Sequence, residues 1–433
     1  MTQPVSTAGT HDPYAALRFP DFRRFVASVV TLTVATQIQA VVVGWQIYAV
    51  TKDPLSLGLV GLAEAVPFIA IALFAGHVAD RANRQRVVAV ATVAMLGCAV
   101  ALLAFTLIPT VLAGRRVWPV YAVIFASGVA RSFLQPARQA LGAELVPREL
   151  YPNAVAWRSS IWQFAAVVGP AMGGLLYGFG GPAVGYGVDV ALVVLALAAI
   201  VRLGRITPPS APGPPALAAD VPILQSLGAG IGFVRSEPVL LAALTLDLFS
   251  VLFGGATALL PIFAADILHA GPEGLGVLRA APSVGAVVMS LVLAHRPPLR
   301  RSGATLLVNV ALFGLAMIGF GLSRQFVLST VLLTVSGAVD MVSVVIRSTL
   351  LQVSTPPELF GRVSSVNQIF IGSSNEIGAF ESGVAARLLG TVPSVVIGGI
   401  VTLLVVGATA WRVPELRSLG RLDELREKRL REQ

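Results

Sequence analysis

Twelve predominantly apolar stretches of about 20 residues or more run through the chain, and that is the length an α-helix needs to cross the hydrocarbon core of a bilayer. They centre on residues 25–49, 56–79, 86–108, 117–141, 155–178, 181–203, 238–264, 274–295, 303–322, 326–350, 362–388 and 391–412. Each is continuously apolar, whereas a transmembrane barrel strand alternates, so helices are predicted throughout. A composition of 55% hydrophobic and 12% charged residues, with mean hydropathy +0.81, suits no soluble protein of this size. The expectation is an all-α membrane protein of twelve transmembrane helices.

Orientation follows from the basic residues. Residues 1–21 are polar and hold no apolar core of a cleaved signal, so the first span is expected to act as its own insertion signal. Of 31 Lys plus Arg, 24 fall in the N-terminal arm, the even-to-odd loops and the tail, six on the opposite side, and Arg131 within a span. That bias predicts cytoplasmic termini. The net charge of +9 is then accounted for by orientation and contact with anionic lipid, without nucleic acid. The single cysteine, Cys98, falls inside the third span and reads as packing.

The spans fall into two sets of six. Residues 205–226 hold six prolines between Pro208 and Pro222, an extended connector, and 223–235 read as a short amphipathic surface helix. The predicted organisation is an arm (1–21), a first half (22–204), a linker (205–236), a second half (237–412) and a tail (413–433). A shift of 209 residues lays "RQALGAELVPREL" (Arg138–Leu150) on "RSTLLQVSTPPEL" (Arg347–Leu359), and "GPAMGG" (Gly169–Gly174) on "GAFESG" (Gly378–Gly383). A repeated six-helix unit is a transporter pattern.

Two motifs carry a resemblance to the major facilitator superfamily. "GHVADRANRQR" (Gly76–Arg86) resembles its cytoplasmic signature between helices 2 and 3. The resemblance implies a gate in which Gly76 permits close approach, Asp80 accepts hydrogen bonds at a helix N-terminus, and Arg81 and Arg84 pair with acids across the gate. Asn83 replaces the usual Gly, with tolerance of left-handed backbone to keep the turn. Gln85 replaces a usual base and loses a contact. "VVGPAMGGLLYG" (Val167–Gly178) resembles the helix 5 motif of the antiporter branches, in which Gly169, Gly173 and Gly174 admit a neighbouring helix and Pro170 bends its own. Residues 44–68 and 350–370 are similar to the bacterial group that contains the enterobactin exporter and macrolide efflux proteins, which implies export of a small solute.

Ionisable groups inside spans mark pathways or pairs. In this superfamily helices 1, 4, 7 and 10 line a central cavity, and Arg131, Asp247 and Asp340 fall near the middles of the fourth, seventh and tenth spans. Helical spacing adds Ser127, Gln135 and Arg138 to Arg131, and Ser336, Ser343 and Arg347 to Asp340. Gln37 and Asn375 join the expected lining. The 209-residue shift equates Arg131 with Asp340, which suggests a pair that either changes as the halves rock or only fixes packing. Asp247 shows no local partner. As a carboxyl in a cavity of low dielectric it is the first candidate proton carrier, ahead of Asp340, Glu376 and Glu381. Glu64 and Asp189 are placed nearer the outer surface and ranked lower.

Enzyme chemistry has no support in the pattern. The four histidines are scattered, no metal-ligand spacing or nucleotide-binding loop occurs, and no cofactor is expected. The leading expectation is a monomeric exporter of the cytoplasmic membrane, exchanging protons for a siderophore-like or drug-like solute. A non-transporting receptor using the tail (417–433), or a lipid flippase, is the alternative.

Overall fold

Proline begins many of the long helices. At that position its fixed φ suits the helix and its missing N–H would be unpaired anyway. The structure, a computed structural model, describes residues 12–108, 116–204, 223–254, 256–297 and 300–421. In order come α1 (Pro20–Thr51), α2 (Pro54–Arg81), α3 (Arg84–Leu107), α4 (Trp118–Glu144), α5 (Tyr151–Val201) and α6 (Ile223–Ser236). They are followed by α7 (Pro238–Gly254), α8 (Leu260–Ile262), α9 (Gly271–Ala294), α10 (Ser302–Leu322), α11 (Phe326–Ser354), α12 (Pro357–Leu389), α13 (Thr391–Arg412) and α14 (Pro414–Ser418). No strand occurs among the described residues.

Two elements differ from the predicted spans. The fifth and sixth are a single 51-residue run, broken at Gly181, whose φ of 70° and ψ of −173° only glycine adopts without strain. At 1.5 Å per residue that run is about 77 Å long, enough for two passes. The seventh span is interrupted: α7 ends at Gly254, a 3-10 turn covers Ala256–Leu259, and α8 leads into a π turn at Phe263–Ile267. Pro261 lies in that interruption and has no N–H to continue an α-helical ladder.

Nine helical runs are long and apolar enough to cross a membrane among the described residues, one of them being the broken run. Helices α4 and α12 have the length too, but carry charges such as Arg131 and Glu376. Twelve passes fit this arrangement. Within the first half α1 packs along α5, and α4 against α2 and α3; within the second, α9 packs on α11 and α10 on α13. The halves meet where α2 lies on α12 and α5 on α9.

These two seams are equivalent under the internal repeat. A shift of 218 equates Pro20 with Pro238, Pro54 with Pro272 and Gly58 with Gly276, the starts of α1 and α2 with those of α7 and α9. The 209-residue shift equates Gly174 with Gly383. Gly58 meets Gly383, where an added Cβ would stand 3.0 Å from the partner Cα, and Gly174 meets Gly276, where it would stand 2.8 Å away. Glycine is required at these corners because the backbones themselves are in contact.

Termini and linker helix share one end of the bundle, here the terminal end; the α1–α2 turn and Gly181 lie at the opposite, far end. The arm docks on α5, where Asn153 and Trp157 side chains donate to the Pro13 carbonyl at 2.8 and 3.0 Å. The beginning of the tail docks on α10, with Ser302 N donating to Gly420 O at 3.2 Å. Residues 1–11 and 422–433 lie outside the described residues.

Candidate functional site

Polar side chains enter the apolar bundle in three places. At its centre α4 presents the stripe Ser127, Arg131, Gln135 and Arg138, residues spaced to share one face. Arg131 pairs with Glu64 of α2. Glu376 of α12 lies within electrostatic reach of Glu64, Arg131 and Arg279 of α9. Arg279 Nη1 donates to the Ala40 carbonyl of α1 at 3.0 Å, across the boundary between halves. Two acids and two bases thus form a quartet, one of each from either half. The expected Arg131–Asp340 pair is replaced by Arg131–Glu64, because α2 and not α11 packs beside α4. Glu64 belongs to this central cluster, not to an outer surface. Helical spacing does not single out Arg279, and the charge count assigns it to the side opposite the termini; the structure corrects this by setting it within α9, in the quartet.

The second place is inside the second half. A cavity of about 190 Å³ is lined by Asp247, Asp340, Ser336, Ser343, Arg347 and Asn375 with apolar side chains of α7, α10 and α11. Asp247 is salt-bridged to Arg347, and both side chains are about one-tenth exposed, at 10% and 9%. The reading of Asp247 as unpartnered is therefore corrected. Its acid and base lie on α7 and α11, a hundred residues apart in sequence, and meet only in the fold. Ser336 and Ser343 donate to carbonyls of their own helix, and Asn375 Nδ2 to Ile371 O at 2.8 Å. The cavity is smaller than the roughly 300 Å³ at which ligand pockets begin, and at about 30 Å³ per water suits a few solvent molecules.

The third place is the far end, where polar contacts join the halves. Tyr48 donates to Asp266, and Lys52 stands 3.8 Å from the same carboxylate. Arg387 donates to Asp53 at 3.2 Å. Glu381, about two turns in from the end of α12, bonds with Ser382.

The two motif regions divide as follows. Gly169 and Gly173 face α1, at Gln37 and at Ile38 and Val41, while Gly174 faces α9. The Pro170 carbonyl meets Gly276. One motif therefore seats α5 on a helix of its own half and on a helix of the other. At the α2–α3 turn, the Gly76, Asp80 and Arg81 side chains lie outside the described residues. Arg84 pairs with Glu144 of α4, within its own half and not across a gate. Asn83 is extended (φ −63°, ψ 111°), not left-handed, and caps α3 by accepting from Arg86 N at 3.0 Å. Gln85 gains contacts: it donates to the carbonyls of Ile200 and Leu203 at 3.2 and 3.3 Å, closing the end of α5. Asp189 is buried on α5, and its Oδ2 has no hydrogen-bond partner among the described residues.

A two-half helical bundle with charges at its centre has clear relatives. The family described as transmembrane secretion effectors, a branch of the major facilitator superfamily, matches residues 11–433. The chain belongs to this family. Among curated proteins, the enterobactin exporter EntS of Shigella flexneri is 28% identical over 397 residues, covering 90% of each chain. Its counterpart in Citrobacter koseri is 28% identical over 395 residues, with 90% of each chain covered. Solved structures share the fold at low identity. A bacterial homologue of the lysosomal transporter Spinster, inward-facing and unoccupied, superposes with TM-score 0.67 at 14% identity, covering 92% of this chain and 98% of that one. A D-xylose–proton symporter superposes with TM-score 0.69 at 13% identity, covering 93% and 100%. The chain is accordingly a multi-pass membrane transporter of the major facilitator fold and not an enzyme.

Proposed function

We propose that the chain exports a small amphipathic solute of siderophore or drug type by alternating access, in exchange for protons, with the terminal end facing the cytoplasm. The observation that carries the reading is the placement of the cross-half contacts. The ion pairs of Asp53 and Asp266 and both glycine corners gather at the far end. The Gln135 side of the α4 stripe is exposed. A cleft closed at the far end and accessible from the terminal end is the loading state of an exporter. The family and the two enterobactin exporters support the direction of transport.

For proton coupling, Glu376 and Asp340 are better candidates than Asp247, which Arg347 neutralises. Glu376 lies in the quartet that spans the halves, so rocking must change its neighbours. Asp340 lines a cavity large enough for water. Coupling requires that substrate and proton bias the same equilibrium in opposite senses.

Purified chain in liposomes with an imposed pH gradient tests this reading. Efflux of a fluorescent amphipathic solute is expected to follow the gradient and to collapse with a protonophore. Efflux indifferent to both rejects proton exchange. No efflux of any member of a siderophore and drug panel rejects the exporter reading.

A further inference from the structure

Arg138 is placed where a base should have an acid. It lies seven residues, about 10 Å, from Arg131 along α4 toward the terminal end. Its hydrogen bond is to a neutral group, Gln135 Oε1, at 3.1 Å. The charges within its electrostatic reach are two further bases, Arg131 and Arg158. Arg158, on α5, lies over Gly142 of α4, where an added Cβ would stand 3.6 Å from Arg158 Cδ. Among the described residues no acidic side chain pairs with Arg138 or Arg158. Arg131, by contrast, has Glu64.

We infer that Arg138 and Arg158, with Gln135 beside them, form an anion subsite that receives an oxyanion group, such as a carboxylate, carried by the transported solute. Neighbouring guanidiniums without an acid repel each other and leave their donors unfilled, and a forked oxyanion satisfies both. A lipid phosphate offers the same chemistry. The stripe, however, faces the cleft and not lipid, because Arg131 on that face lies within electrostatic reach of Glu376 of the other half. The bare backbone of Gly142 makes room for the Phe25 ring, 2.9 Å from an added Cβ, and Arg158 Cδ lies at ordinary contact distance, 3.6 Å, from the same point. The inference rests on the exporter reading and narrows it to solutes that carry an anionic head on an apolar body.

The experiment is equilibrium binding to the full chain in phosphatidylcholine nanodiscs, with no flux, so its failure is separable from failure of the transport assay. The probes are 2-naphthoate, its neutral amide, inorganic phosphate, and nanodiscs in which phosphatidylglycerol replaces a third of the lipid. Naphthoate is expected to raise the melting temperature and the amide to do so at least tenfold less effectively. Arg138→Gln and Arg158→Gln should each weaken naphthoate binding about tenfold or more. Arg138→Lys and Arg158→Lys, which preserve charge and folding, should retain part of it. Arg412→Gln, an exposed base at the end of α13, should change nothing. Equal binding of acid and amide, or binding indifferent to both Gln variants, overturns the inference. Phosphate competing as well as naphthoate, or phosphatidylglycerol abolishing the response in the wild type, assigns the subsite to a free anion or to lipid and overturns the solute assignment.

Discussion

The two halves of this transporter place an arginine at the same repeat position and treat it in opposite ways. In the second half Arg347 is neutralised by Asp247, buried, and bonded through Nε to its own Ser343 carbonyl at 3.3 Å. In the first half its counterpart Arg138 faces, among the described residues, Gln135 and other bases. The shift of 218 that aligns α1 with α7 puts Val29 where the second half has Asp247, and Val29 is buried among the apolar residues that include Ala137 and Leu141. One difference between equivalent positions, Val29 against Asp247, therefore separates a self-satisfied ion pair from a cation without an acid. At this position the first half leaves a cation open to a charge from outside, and the second supplies its own.

The sharpest way to break that comparison is to remove the acid from the closed pair. Asp247→Asn leaves Arg347 buried without compensation, a situation that costs about 3–5 kcal/mol. Thermal unfolding in detergent should show it as a large loss of stability. The double variant Asp247→Asn/Arg347→Gln should recover much of that loss, because the orphaned charge is gone. Arg138→Gln, at the equivalent position, should leave stability unchanged or raise it. Equal destabilisation by Asp247→Asn and Arg138→Gln would mean that Arg138 has a structural partner after all.

This contrast also marks where the sequence is readable. The apolar runs predict the helices, and the spacing of Ser127, Arg131, Gln135 and Arg138 places them on one face before any contact is known. Partner choice is not written in spacing. A shift of 209 residues equates Arg131 with Asp340, but equivalent positions in two halves need not touch, and α4 packs on α2 instead. Glu64 is displaced in expectation for the same reason: depth along α2 depends on where Pro54 starts the helix, and the α2–α4 packing that brings Glu64 to Arg131 is a property of the fold. Asn83 illustrates a different limit, since the residue type fits both a left-handed turn and an N-cap, and only the backbone decides.

A second prediction concerns the glycine corners, where the halves are alike. An added methyl at Gly174 would stand 2.6 Å from the Pro272 carbonyl, and one at Gly58 3.0 Å from the Phe380 carbonyl. Overpacking of this kind costs about 1–3 kcal/mol, and here the far-end-closed state bears the cost. Gly174→Ala and Gly58→Ala should each open the far end, by about fivefold or more in the open-to-closed ratio. In a Cys98→Ser background carrying Gln37→Cys, faster labelling by an impermeant maleimide added from the far side checks it. If only one corner responds, the seams are not equivalent in function.

A third variant converts one half into the other. Val29→Asp should supply Arg138 with the acid that Arg347 already has, and a buried pair in place of packed apolar atoms is often close to neutral in net stability. Stability should therefore change little while naphthoate binding falls about tenfold, because the added carboxylate occupies the donors. Loss of stability by several kcal/mol would show that the introduced carboxylate cannot reach Arg138.

The smallest effect is expected at the far-end rim, where the seams differ. Asp53 and Arg387 bridge α2 to α12 at 3.2 Å. The same repeat shifts equate them with Gly271 and Gly178 on the other seam, so no such bridge can form there. Both side chains are well exposed, at 33% for Asp53 and 55% for Arg387, which limits an ion pair to about 0.2–1 kcal/mol and makes it sensitive to salt. Arg387→Gln should raise far-side labelling at position 37 by less than about fivefold, and the difference from wild type should vanish at high ionic strength. A larger effect, persisting in salt, would mean that the rim bridge and not the glycine contact holds this seam shut, and that closure is asymmetric between the two seams.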